Sequence, residues 1–199
     1  MIITITSFPG TETKELSKLL ALQVGLRYFS ANEIKKRIAV ETNLPIEKIK
    51  EEEFTEKIKQ IIEQEAKKND IIIDHTLGAW TINNADLKVF LKSYKKIRAK
   101  TISEKQKIPM REAIDSIEMK EREQEKSFLN NYGINIYDLQ VYDLVVNIDK
   151  LEQDSIIGII KKYLEKMHKE WYYAVNWFRQ NMYYKKRKKN RKKSSCNFS

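Results

Sequence analysis

The stretch Ser7-Phe8-Pro9-Gly10-Thr11-Glu12-Thr13-Lys14 lies between a β-branched run, Met1–Thr6, and a helical pattern that begins near Lys14. A phosphate-cradling loop occupies such a place. In a strand-loop-helix unit the loop amides and the first helical N–H groups converge on an anion, and the helix dipole favours it. The complete motif, G-x-x-x-x-G-K-[ST], uses glycines to let the backbone close on phosphate, a lysine to reach it and a hydroxyl for magnesium. Here Ser7 and Glu12 stand at the two glycine positions. The window by itself therefore fits a ligand-free strand-to-helix turn as well as a phosphate site. Pro9-Gly10 still supplies a tight turn, Thr11 and Thr13 can cap the helix, and Lys14 adds a cation.

Other chemistry-bearing residues are sparse. Cys196 is the only cysteine, which excludes an internal disulfide framework and a multi-cysteine metal site. His75 and His168 are isolated; His75, after a strand end, reads as an ordinary loop histidine, with a donor to an acceptor ligand as the alternative. Glu51-Glu52-Glu53 are consecutive on a helical stretch, so their carboxylates point apart and suit a solvated face rather than a metal. Trp80 is explained by packing, and the charge run 118–126 by one exposed helix face.

The elements that must position these groups follow from short apolar runs alternating with helical periodicity. Met1–Thr6, 26–29, 70–74, 87–91 and 142–147 read as strands. Leu16, Leu19, Leu20 and Val24 recur at helical spacing up to Gly25, a natural stop. Ser30 caps a helix to about Ala39, and 45–68 is amphipathic. Residues 97–131 form two charged helices broken near Ile108-Pro109, and a last helix covers 152–169. Five strands alternating with helices predict an α/β fold around a mostly parallel sheet.

The formal charge of +10 is unevenly held. Residues 171–199 contain six Lys, three Arg and no acid, which leaves +1 for residues 1–170. This distribution does not suit a uniformly basic nucleic-acid-coating protein. No apolar run approaches the ~20 residues of a membrane span, and the N-terminus lacks a signal-peptide layout, so a cytoplasmic, monomeric protein is expected.

The order of elements, with the segments 9–21 (PGTETKELSKLLA), 28–39 (YFSANEIKKRIA), 85–93 (ADLKVFLKS), 97–102 (IRAKTI), 111–114 (REAI) and 130–147 (NNYGINIYDLQVYDLVVN), resembles the archaeal-type cytidylate kinases, small P-loop nucleoside monophosphate kinases. The resemblance covers roughly residues 1–165, and Tyr132-Gly133-Ile134 through Val146 is its most specific part. It implies a kinase-like domain over 1–166 with a lid at about 99–131, ATP and Mg2+ as cofactors, and CMP or dCMP as phosphoryl acceptor. On this alignment Ser7 to Glu15 (Ser7, Phe8, Pro9, Gly10, Thr11, Glu12, Thr13, Lys14, Glu15) hold the donor. Glu33, Lys36, Asp74 and Thr76 face the acceptor, and Lys14, Lys105, Lys120 and Arg122 act as catalytic cations.

Departures from the family pattern fall where the chemistry would be. Glu12 replaces a loop glycine, and at about 5 Å and an effective dielectric of about 20 a carboxylate beside phosphate costs about 3 kcal/mol. Lys14 replaces the magnesium hydroxyl, and Lys36 replaces an Arg, losing the bidentate fork. The family's E-G-R becomes Asp74-His75-Thr76, and lid Arg positions read Thr101, Lys105, Lys120 and Ser127, leaving Arg98 and a displaced Arg122. Phosphoryl transfer depends on positioning and cationic neutralisation, so the residues point to impaired transfer. The alternative is a catalytically inactive pseudokinase serving as an RNA- or ribosome-associated accessory protein.

That alternative rests on the C-terminal extension, 167–199. Met167, Trp171, Ala174, Phe178 and Met182 fall on one helical stripe. Beyond it Lys185, Lys186, Arg187, Lys188, Lys189, Arg191, Lys192 and Lys193 form a run interrupted by Asn190 alone. Cations next to paired tyrosines suit phosphate-backbone contact and base stacking; a solubilising tail or an anionic lipid surface also accounts for them.

Overall fold

The computed structural model describes residues 1–45, 48–49, 51–68 and 70–167. The elements run β1 (Ile2–Ser7), α1 (Lys14–Val24), β2 (Arg27–Ser30), α2 (Ala31–Thr42), α3 (Glu51–Ala66), β3 (Ile71–Asp74), α4 (Gly78–Thr81), β4 (Leu87–Lys92), α5 (Lys95–Gln106), α6 (Met110–Tyr132), β5 (Leu144–Asn147) and α7 (Gln153–Met167). The five strands form one sheet in the order β2-β3-β1-β4-β5, and every pairing is parallel. The mostly parallel sheet of the sequence analysis is thus wholly parallel.

Crossover helices cover both faces of such a sheet, so its strands become continuous apolar runs. Ile3, Ile5, Ile71, Ile72, Ile73, Leu87, Val89 and Leu91 are all fully buried. On one side Ile34 and Ile38 of α2 pack with Ile61 and Ile62 of α3 against Ile71 and Ile73, and Phe128 of α6 closes the cluster. Ala79, Phe90 and Tyr142 form another, with Trp80 edge-on to Tyr142, so packing accounts for that tryptophan.

Local signals set the boundaries. α1 stops at Gly25, whose φ of 74° is left-handed. Ser30 and Glu33 make a reciprocal capping box at the start of α2, which runs to Thr42, three residues past the expected end. Pro109 precedes α6 and separates it from α5, as the sequence requires; Ala99, Ala113 and Ile117 pack the two into a hairpin. β5 begins at Leu144 rather than Tyr142, because residues Leu139–Val141 form a 3-10 turn.

The chain divides into two units, Met1–Ile157 and Gly158–Ser199, with the boundary inside α7. The described part of the second unit, Gly158–Met167, is helical and carries the pair Lys162–Glu165 at 2.8 Å. The basic run 185–193 and the aromatic stripe beyond Met167 lie outside the described residues.

Candidate active site

β1 is the central strand, and its last residue, Ser7, pairs with Leu91 at the carboxyl end of the sheet. Ligands of open parallel sheets bind beyond that end. Phe8 anchors the loop edge-on to Phe90 at 5.0 Å. Two loop amides turn inward: Thr11 N donates to Phe8 O (3.1 Å) and Thr13 N to Thr11 O (3.1 Å). Gly10 has φ +83°, and a Cβ there would lie 2.9 Å from Ile102 Cδ1. The left-handed conformation calls for glycine, and a Cβ would also force the tip of Ile102 in α5 to shift. The expected threonine cap does not form. Thr13 occupies the N-cap position with helical backbone angles and makes no side-chain capping bond. The Thr11 hydroxyl is buried with no partner within the protein.

Three hollows adjoin the loop. One of 730 Å³ is lined by Gly10 to Leu16, by Thr101, Ile102 and Lys105 of α5, and by residues 148–156. A second, of 710 Å³, lies on the other side, between Ser7, Lys35, the Asp74-His75-Thr76 turn and Ser127 of α6. Between them a 400 Å³ hollow covers residues 7–11, with Lys35 and Lys120 in its wall. An outer groove of 510 Å³ separates α1 from α2 and holds Lys14, Lys18, Glu33, Lys35 and Lys36.

The sequence-derived cations are distributed unequally. Lys14 lines the 730 Å³ hollow and the outer groove, and Lys120 faces the loop. Lys105 of α5 forms an ion pair with Glu12, so the loop carboxylate already has a cation. Arg122 pairs with Glu118 at 3.6 Å, is 79% exposed, and lines none of these hollows. At about 100° per residue it points about 200° around α6 from Lys120. Lys36 reaches only the outer groove, whereas Lys35, which the motif comparison passed over, belongs to three of the four hollows.

Arg98 is 5% exposed and commits its guanidinium to the protein. Nη1 donates to Pro9 O (2.6 Å) and pairs with Glu121 (2.7 Å), Nε donates to Ser93 O (3.2 Å), and the group lies 5.6 Å from the Phe8 ring centroid. It binds loop to lid.

At the carboxyl end of β3 Asp74 accepts from the Tyr28 hydroxyl at 2.9 Å. Burial pushes the Asp74 carboxyl above its ordinary range, opposed by that hydrogen bond. Burial raises the Tyr28 phenol as well, and the charge of Asp74 adds to it. His75 Nδ1 accepts from Leu77 N (3.1 Å), and burial, aided by Lys35, lowers the imidazole to about 4. It is neutral at pH 7 and caps the turn after β3. Glu33 is held by its cap: its carboxylate accepts from Ser30 N at 2.7 Å. Among the described residues no three His, Cys, Asp or Glu side chains come together as a metal site, and no helix is long and apolar enough to cross a membrane.

A parallel sheet in this order, with its phosphate-type loop on the central strand and a helical hairpin beside it, defines the fold of the P-loop kinases. Among solved structures, an uncharacterized protein from Eubacterium ventriosum matches with TM-score 0.69 at 16% identity, over 83% of this chain and 98% of that one. Shikimate kinase from Bacteroides thetaiotaomicron matches with TM-score 0.58 at 14% identity, over 83% and 98%. The sequence comparison narrows the class. The model of the cytidylate kinase-like family matches residues 48–150. The cytidylate kinase of Sulfurisphaera tokodaii is 34% identical over 84% of this chain and 97% of its own length, and that of Pyrococcus horikoshii is 30% identical over 84% and 90%. The chain belongs to the cytidylate kinase-like family.

Proposed function

We propose that this protein transfers the γ-phosphoryl group of ATP to CMP or dCMP, at a rate reduced by its altered loop and lid. An acceptor phosphate oxygen bonds to the γ-phosphorus, the bond from that phosphorus to the β–γ bridging oxygen breaks, and ADP and CDP or dCDP leave. The observation that carries this is the loop's place between two nucleotide-sized hollows, of 730 and 710 Å³, with the smaller one over the loop joining them. Donor phosphates lie along residues 10–14, with the Thr11 hydroxyl and Lys14 as their partners. The acceptor lies toward Asp74 and Thr76, and Lys120 closes over the transferred group. With little covalent work for protein groups, these cations contribute by neutralising charge in the transition state.

The residues do not fit a protein-held magnesium ion. Lys14 stands where the motif has its hydroxyl, and an ammonium does not ligate a cation. Mg2+ would arrive as the counter-ion of ATP, held by phosphates and water. The test is a coupled ADP-release assay with ATP, Mg2+ and CMP. Turnover above background that falls with Lys14→Ala supports the transfer. CMP binding by calorimetry without turnover would leave a nucleotide-binding protein without this chemistry.

A further inference from the structure

We propose that Lys35, and not Lys36, is the side chain of α2 that holds the phosphate of the acceptor nucleotide. This rests on the acceptor role proposed above for the 710 Å³ hollow. The family pattern assigns the position to residue 36, but the phase of the helix decides which lysine can reach. Ile34 and Ile38 are fully buried, which fixes the inward face of α2. Ala31 and Lys35, four residues apart, share the face that lines the hollow with Ser7, Asp74 and Thr76. Asn32, Lys36 and Ala39 share the neighbouring face, which turns to the outer groove with Lys14 and Lys18.

Direction favours Lys35 as well. Helical side chains lean toward the N-terminus of their helix. In α2 that end adjoins β2, whose Ser30 stands level with Asp74 at the carboxyl edge of the sheet. Lys35 also lines the hollow over residues 7–11, together with Lys120. It thus stands where the acceptor and the loop meet. Its charge is felt by the neighbouring His75. No carboxylate among the described residues forms an ion pair with Lys35, so its ammonium is not already neutralised.

The full-length protein and its Lys35→Ala, Lys35→Arg and Lys36→Ala variants distinguish the two lysines. Calorimetry with CMP and with cytidine isolates the contribution of the phosphate, independently of turnover. The preference for CMP over cytidine should collapse by about 100-fold in Lys35→Ala, return largely in Lys35→Arg, and fall several-fold less in Lys36→Ala. CMP should also slow acetylation of Lys35 more than that of Lys36, read by mass spectrometry. In the ADP-release assay Lys35→Ala should raise the KM for CMP and lower kcat while leaving the KM for ATP near its original value. A larger loss in Lys36→Ala, equal losses in both, or no phosphate-dependent protection of Lys35 overturns the assignment. Loss of the CMP preference with Lys35→Ala in a protein that shows no turnover sustains it while removing the phosphoryl-transfer function.

Discussion

The two sides of the phosphate loop treat their positive charges differently. On the lid side Lys105 has Glu12 and Arg98 has Glu121, while Arg122, away from the loop, has Glu118. On the α2 side Lys14, Lys35 and Lys36 form no ion pair among the described residues, and Lys120 of α6 resembles them. An ion pair must be exchanged before its cation serves a ligand, whereas an unpaired ammonium gives up only water. Lys105 and Arg98 are thus already committed to carboxylates of the protein itself, whereas Lys14, Lys35, Lys36 and Lys120 are not, among the described residues. The Lys105 pair also revises the cost assigned to Glu12, since the carboxylate meets Lys105 and not phosphate alone.

The sharpest way to break this contrast is at Arg98. Removing Arg98 leaves the buried Glu121 with only the more distant Lys95, at 3.7 Å, so Arg98→Ala should lower unfolding free energy by about 3 kcal/mol in urea titrations. A loss within 1 kcal/mol would mean that the lid side is not held by this pair. Next is Lys14→Ala, expected to cut kcat/KM by about 100-fold or more, against less than tenfold for the paired Lys105→Ala. Equal losses would erase the distinction between paired and free cations.

His75 offers a pH test of the acceptor side. Its folded pKa, about 4, lies below the ordinary 6.5, so the unfolded chain takes up the proton first. Stability should be complete above about pH 6.5 and fall by up to about 3 kcal/mol as pH approaches 4. Asp74, shifted upward, opposes part of that fall at the acid end, because there the folded state binds the proton first. Urea midpoints at pH 7 and 4.5 should differ more in the wild type than in His75→Gln. A smaller effect is expected at Glu12. Glu12→Gln removes an acid from the loop and releases Lys105, so ATP should bind about tenfold more tightly by calorimetry. Unchanged affinity would show that the pair does not restrain the donor site. Arg122→Ala, on the far face of α6, should change kcat/KM by less than about twofold in the same assay.

Most of the fold was legible because it depends on local signals. Ile71-Ile72-Ile73 could only be a buried strand, Gly25 marked the end of α1, and Ser30 with Glu33 spelled out a cap. The loop was legible as a position in the chain, and the resemblance to cytidylate kinases supplied its candidate residues. Two kinds of information were not local. Helical phase near residue 35 could be fixed only once Ile34 and Ile38 were known to be inside, and a one-residue error turns a side chain by about 100°. The partners Glu12 and Lys105, or Arg98 and Pro9, are far apart in sequence and meet only through the folded sheet. The threonine cap failed because Thr13 takes helical backbone angles where a capping residue takes extended ones.

The bond from Arg98 to Pro9 O has a consequence beyond charge. No peptide bond among the described residues is cis. Across a trans peptide the carbonyl and the following N–H point in opposite directions from one rigid plane. Holding the Pro9 carbonyl toward α5 therefore aims the Gly10 N–H to the opposite side of the loop. A guanidinium sequestered from any ligand thus fixes the bearing of a main-chain donor, as a rudder does from below the waterline.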